Sequence, residues 1–560
     1  MKKKKFTLVL MALFLGGAAA AWSGTTDLSH VRFSGEAPGH APDSGPVSDL
    51  SARGYNVLLV VTDQQRHFEA LPMGTNWRAQ KLLQSIGTTF EKHYISSNMS
   101  TSSRSVMYTG RHITQTKMPD NACFPWQAGL DTGIPTIGTL MRQAGYHTAY
   151  KGKFFMLGES AAKASGEGAN KNQQNALETY GFSDWNFEGD IEGGMLEGYH
   201  KDAYIKGSAI RWLRDRGASL DKSGKPFFLA VNFVNPHDIM FYNPGSSASA
   251  GSLTVPPKNT LYSKKHNYLP RAWEHESDMP AHREFRDGQA AVMGALPRDR
   301  KGVLQINDFY LNSIQDVDDN LMGLLDELKR LGMMDSTIVI FTSDHGEMGG
   351  SHRLKGKGPF IYENNLRVPF IIVHPAYKGI RRISTVTSHL DLVPTILDMA
   401  GLSADEKSGL KKGLAGHSLM PLIEGKTESV RDGALYAYSA FSTLDSAFRA
   451  DTPAVRGPDL NKRGLLRAIV TERYKFARYF SPLDFNMPLT LEELYARNDV
   501  ELYDLKTDPH ELVNLAADPS GQAELILKMN DRLNELIRRE IGVDRGDEIS
   551  AALKFFGAKK

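Results

Sequence analysis

Ser100-Thr101-Ser102-Ser103-Arg104 sets four hydroxyls and a guanidinium directly ahead of the apolar segment Val106-Met107-Tyr108. The change from small polar to apolar residues predicts a loop opening a helix, with Ser102 or Ser103 as its cap. Ser100 then lies beside a helix N-terminus, where unpaired amides and the positive end of the dipole favour an attacking or bound oxyanion. Arg104 adds a rigid fork of donors matched to sulfate or phosphate oxygens. The chemistry suggested is attack by an oxygen on a tetrahedral oxyanion ester.

The rest of the chemistry sits where apolar runs end. Val57 to Val61 leads into Thr62-Asp63-Gln64-Gln65, Pro226 to Phe233 into Asn235-Pro236-His237-Asp238, and Thr337 to Thr342 into Ser343-Asp344-His345-Gly346-Glu347. Continuous apolar runs of this kind suit central parallel strands covered on both faces. Ligands of open α/β sheets gather at the carboxyl ends of such strands.

The Ser100 stretch resembles the signature of the sulfatase family, in which Cys or Ser, any residue, Pro or Ala, Ser and Arg are followed by four residues and Thr-Gly. Arg104 and Thr109-Gly110 have that spacing, and Ser100 falls on the nucleophile position. Further blocks follow in the family's order: Gly152-Lys153, Pro236-His237, Lys357-Gly358 with Tyr362-Glu363 and Arg367-Val368-Pro369, and a closing segment from Glu501 to Asn514. Lys355 is a near competitor of Lys357. The resemblance implies that Ser100 is oxidised to formylglycine by a maturation enzyme. It also implies that Asp63, Gln64, Asp344, His345 and an oxygen of residue 100 hold one divalent cation. Mostly oxygen donors favour Ca2+, and the imidazole admits Mn2+ or Zn2+. Arg104, Lys153, His237 and Lys357 are then expected around the remaining ester oxygens and the leaving group. Two positions depart from the pattern: Ser102 replaces Pro or Ala, and Phe155 stands where the family has a His two residues after the Lys.

These residues imply hydrolysis of a small-molecule or carbohydrate sulfate ester through formylglycine. One alternative keeps Ser100 unmodified as the nucleophile of a phosphate mono- or diester hydrolase, because a plain serine sulfate has no second hydroxyl to drive its release. Another is a non-catalytic anion- or carbohydrate-binding homologue.

The elements that must position these groups read as a doubly wound α/β domain with a mostly parallel, alkaline-phosphatase-like sheet flanked by helices. Helical patterns cover Thr136 to Ala144, Leu311 to Leu331 and Leu392 to Ala400, and Val368 to Val373 is a further strand. The catalytic domain is expected over residues 53–425. A smaller α+β domain is expected over 426–560, with strands at Ala434 to Phe441, Leu465 to Thr471 and Tyr474 to Tyr479 and a helix from Ala523 to Arg539. Asn243 to Lys301, and Gly158 to Asn175, break the rhythm and read as insertions over the site. His266, His275 and His282 in the first of these read as solvated.

Across 560 residues, a net charge of +2 with 23% charged residues argues against a nucleic-acid partner. Lys2 to Lys5 followed by the apolar run Phe6 to Ala21 has the layout of a secretory signal peptide over residues 1–21, with an exposed leader over 22–52. The protein is therefore expected to be exported, periplasmic or secreted, with no integral membrane segment after signal removal. Cys123, the sole cysteine, excludes an internal disulfide and reads as a buried small hydrophobe.

Overall fold

A computed structural model describes residues 54–158, 176–185, 190–246, 252–448 and 457–557. The expected signal peptide and leader, and most of the insertion from Gly158 to Asn175, lie outside the described residues.

Asn56–Asp63 forms β1, and every residue of it is buried. Its Val and Leu side chains point alternately to the two faces of a seven-stranded sheet, so a continuous apolar run is what this position requires. The remaining strands are β2 (Thr88–Tyr94), β3 (His147–Gly152), β4 (Phe227–Pro236), β5 (Thr337–Ser343), β6 (Phe370–Val373) and β7 (Arg381–Ser388). Their spatial order is β3-β4-β1-β5-β6-β2-β7. The pairs β3·β4, β4·β1, β1·β5 and β2·β7 are parallel, and β6 runs antiparallel to both of its neighbours. The sheet is thus mixed but mostly parallel. Helices Arg78–Ile86, Glu197–Trp212 and Arg300–Arg330 pack together as one layer, and Ser100–Thr109, Ile137–Gln143 and Leu392–Met399 as another.

A smaller C-terminal domain holds a second, wholly antiparallel sheet. It comprises β8 (Ala434–Tyr438), β9 (Leu465–Val470), β10 (Tyr474–Phe480) and β11 (Asp499–Asp504) in the order β11-β10-β9-β8. Leu435, Ile469, Phe476 and Leu502 face the helix Ala523–Glu540, whose Ile526, Met529, Leu533 and Ile537 cover them. Residues of opposite parity, including Tyr436, Ala468, Ala477 and Tyr503, pack on Met348, Leu354, Phe360 and Tyr362. The period of two along each strand therefore backs the segment after β5 with a rigid wall.

Three expectations need correction. The long helix begins at Arg300 rather than Leu311, because Val303, Ile306 and Tyr310 continue its buried stripe. The region from Asn243 to Lys301 contains the helix Pro280–Met293 as well as irregular chain. Its histidines are not all solvated: His282 is fully buried between Ser277 and Tyr479, and His266 is buried against Asn312. β2, β3 and β7 escape a search for apolar runs, since each carries charged or polar residues.

Candidate active site

Four neighbouring strands deliver the candidate residues to one edge of the sheet. β3 ends just before Lys153, β4 just before His237, β1 at Asp63 with Gln64 following, and β5 just before Asp344 and His345. β2 enters from farther along the sheet, and the chain after it turns into the helix Ser100–Thr109, with Ser100 as its first residue. Ser102 and Ser103 lie inside the first turn, so neither is the cap expected above. Met99 occupies that position without a side-chain bond, and the Ser103 hydroxyl donates instead to the Asp344 carbonyl. Met99 and Gln64 hold φ of 73° and 76°. Such left-handed conformations persist only where surrounding contacts dictate them, and Tyr310 Oη, donating to the Gln64 carbonyl at 2.8 Å, supplies one.

Ser100 Oγ is the centre of the constellation. Lys357 Nζ donates to it at 2.9 Å, His345 Nε2 lies 3.0 Å away, and Asp63 Oδ1 lies 3.5 Å away. Asp63, Asp344 and His345 form a buried group whose ligand atoms lie within 4.8 Å of one another. His345 Nδ1 faces the Gly346 carbonyl at 3.1 Å, a contact only N–H can make, so Nε2 presents its lone pair to the carboxylates. Burial and the neighbouring Lys357 keep this imidazole well below its usual pKa and therefore neutral, as a ligand must be. The Gln64 amide nitrogen is bound by Glu347 Oε2 at 2.5 Å, which turns Gln64 Oε1 toward Lys357 Nζ at 2.9 Å. Oxygens from Asp63, Gln64, Asp344 and residue 100, with one neutral imidazole, fit a divalent cation.

Electrostatics agree with that fit. Burial alone would raise the Asp63 carboxyl, but Lys153, Lys357 and Arg104 hold it well below the usual carboxylate range. Asp344 is pushed upward by burial and by the charge on Asp63. Lys153 Nζ pairs with Asp63 Oδ2 at 2.7 Å and donates to the Glu192 carbonyl at 3.0 Å. The Arg104 fork is already engaged. Nε meets Asp344 Oδ2 at 3.0 Å, one terminal nitrogen meets Asp63 Oδ2 at 3.2 Å, and the other donates to the Lys153 carbonyl and Asn232 Oδ1. Arg104 thus bridges the two carboxylates rather than presenting a free fork.

His237 is buried and its Nδ1 has no hydrogen-bond partner among the described residues. Burial and the ammonium groups of Lys357 and Lys153 keep it neutral. Gly193 closes over it, and a Cβ there would lie 2.8 Å from both His237 Cε1 and Lys153 Nζ. Phe155 lies with its ring centroid 4.5 Å from Lys153 Nζ, and its carbonyl accepts from Thr101 Oγ1 at 2.7 Å. Cys123 is only half-buried, and its thiol is pushed up to about 12 by burial, which leaves it protonated.

The expected residues all converge. Those the sequence reading did not assign are Glu347, which orients Gln64, Asn232, which receives Arg104, and Gly193. A lone Asn in the apolar run of β4 was a legible signal for Asn232. Glu347 stood in the polar segment that follows the third apolar run, and Gly193 carried no signal.

The sulfatase family model matches residues 55–402, and a model for the C-terminal part of N-sulphoglucosamine sulphohydrolase matches residues 350–539. An extracellular sulfatase SULF-1 homolog of Drosophila melanogaster is 27% identical over 407 residues, 68% of this chain and 32% of that protein. Arylsulfatase K of Danio rerio is 27% identical, covering 61% of this chain and 62% of its own length, so the chain spans less than two thirds of either relative. A choline-sulfatase of Rhizobium meliloti is 26% identical over 84% of both chains. Among solved structures, a 2-O GAG sulfatase superposes with a TM-score of 0.62 at 21% identity over 87% of this chain and 92% of its own. A phosphonate monoester hydrolase of Agrobacterium radiobacter reaches 0.63 at 23% identity over 87% and 96%. These likenesses establish the fold.

Proposed function

The chain belongs to the sulfatase family, and on that premise we propose that it hydrolyses sulfate esters with a nucleophile derived from Ser100, converted to formylglycine. The observation that carries this reading is the convergence of Lys357, His345 and Asp63 on Ser100 Oγ, at the start of a helix and beside the buried group of Asp63, Asp344 and His345.

Asp63, Gln64, Asp344, His345 and an oxygen of residue 100 would hold the cation, with Ca2+ first and Mn2+ or Zn2+ next. When bound it would polarise the ester oxygen and lower the pKa of the attacking hydroxyl. Lys357 holds the proton at the residue-100 oxygen, and burial brings its pKa down to about 8, close to neutral pH. One hydroxyl of the formylglycine hydrate passes its proton to Lys357 in its amine form and attacks sulfur, and the bond from sulfur to the leaving oxygen breaks. His237 gives that oxygen its proton. A sulfate anion beside His237 supplies the counter-charge that lets the imidazole carry it. Loss of the proton from the second hydroxyl re-forms the aldehyde and expels sulfate. Arg104 and Lys153 keep Asp63 ionised throughout.

Phe155 favours a second reading. A phenyl ring rather than an imidazole stands two residues after Lys153, and a phosphoester hydrolase with unmodified Ser100 needs no imidazole at that position. Both readings are tested by the mass of the peptide containing Ser100 from active protein made in its native host, with turnover of nitrophenyl sulfate beside nitrophenyl phosphates. An aldehyde and sulfatase activity support the first reading, and an unmodified serine with phosphatase activity replaces it with the second.

The substrate class proposed is a small-molecule or carbohydrate sulfate ester. Export rests on the basic and apolar N-terminus, and no helix among the described residues is long and apolar enough to cross a membrane.

A further inference from the structure

Lys355 is buried, yet no carboxylate pairs with it among the described residues. Its ammonium donates instead to two main-chain carbonyls, Met240 O at 3.0 Å and Tyr242 O at 2.6 Å. These carbonyls close the single turn His237–Phe241, so the Lys355 side chain crosses from the segment after β5 to the turn that carries His237. Two residues on, Lys357 reaches Ser100 and Gln64. Between them the Gly356 amide donates to Glu347 Oε1 at 2.7 Å, and the other oxygen of Glu347 binds Gln64. The opposite flank of the His237 turn is pinned independently, because Asp238 accepts the amides of Gly198 and Tyr199 at 3.1 and 2.8 Å.

We infer that Lys355 is a positioning residue that fixes His237 against Lys357 and the nucleophile, and so sets how well the leaving oxygen is protonated. This rests on the reading of His237 as proton donor. A buried cation with no carboxylate in contact is costly, and burial lowers the Lys355 ammonium to about 8 although the charge of Glu347 opposes the shift. A chain seeking only stability would be served as well by an apolar side chain packed here. Lysine supplies reach and two directed N–H donors that join backbone segments 113 and 115 residues apart in sequence. Misplacing a proton donor by an ångström lowers the rate without weakening substrate binding.

The test compares Lys355→Met, which keeps length and removes the donors, with wild type and His237→Ala on 4-nitrophenyl sulfate and benzyl sulfate. The nitrophenolate departs without help, and the benzyl alkoxide requires a proton. The expected result for Lys355→Met is a fall in kcat of about 10-fold or more on benzyl sulfate, about 3-fold or less on nitrophenyl sulfate, and an unchanged KM. His237→Ala shows the same leaving-group dependence more strongly, and Lys355→Arg restores part of the loss. Equal losses on both esters in Lys355→Met, with His237→Ala still selective, overturn the inference alone. No selectivity in His237→Ala overturns the proton-donor reading and the inference with it. If Lys355→Met does not fold, Lys355→Gln, whose shorter side chain stops short of the Met240 and Tyr242 carbonyls, is judged by the same two ratios.

Discussion

Lys357 Nζ lies 2.9 Å from both Ser100 Oγ and Gln64 Oε1, so one ammonium spans the proposed nucleophile and a proposed metal-site donor. An apolar side chain cannot do this. Lys357→Met therefore lowers kcat by about 100-fold or more, the range expected for loss of a positioned acid–base group, while the cooperative unfolding transition is retained. Steady-state kinetics with a thermal melt check both halves.

Under the proposed function, Ser100→Ala removes the attacking oxygen and one oxygen of the proposed cation site. Turnover falls at least about 1,000-fold. In wild-type protein under the formylglycine reading, the same peptide is lighter by two hydrogens, which peptide mass spectrometry measures.

Without the proposed cation, Asp63 and Asp344 face each other with Lys153, Lys357 and Arg104 as their nearby positive charges among the described residues. Chelation is expected to abolish turnover and to lower Tm, because a ligand bound only by the native state stabilises it by mass action. Re-addition of Ca2+ restores both. Recovery with Zn2+ alone would replace the calcium assignment.

Arg104→Ala strands two buried carboxylates that the guanidinium bridges. Breaking a buried pair from one side costs about 3–5 kcal/mol, so urea unfolding should show a lower midpoint with an unchanged slope. Arg104→Lys keeps the charge, but a single ammonium cannot meet Asp63, Asp344, Asn232 and the Lys153 carbonyl together, and the deficit remains.

Glu501 is buried in the C-terminal sheet and accepts from Tyr479 Oη at 2.6 Å and Tyr503 Oη at 2.7 Å, and burial raises its carboxyl from an ordinary 4.5 to about 7. The folded state binds this proton more tightly than the unfolded chain. The stability it contributes is therefore present below pH 4.5 and is lost as pH rises through 7. Glu501→Gln mimics the protonated form and should stabilise the protein at pH 8 by up to about 3 kcal/mol. The difference should vanish near pH 4, which denaturant melts at the two pH values determine.

The strands that carry the site were legible because they are buried on both faces: β1 and β5 read as unbroken apolar runs and β4 as one interrupted at Asn232, and Asp63, His237 and Asp344 follow where those runs stop. The hydroxyl-rich turn and Arg104 were legible from residue type and spacing. β3 and β7 were not, because a strand with a lysine or two arginines has its face decided by its neighbours. The sequence by itself determined which groups could do chemistry and that strand ends would present them. Tertiary structure alone decided what each group does there. It turned Arg104 from an expected anion fork into a bridge between carboxylates, buried His282, and set Lys355 on the His237 turn and Lys357 on Ser100. Which of two lysines two residues apart reaches a nucleophile depends on contacts spanning 257 residues of chain, and no local pattern encodes a distance of that kind.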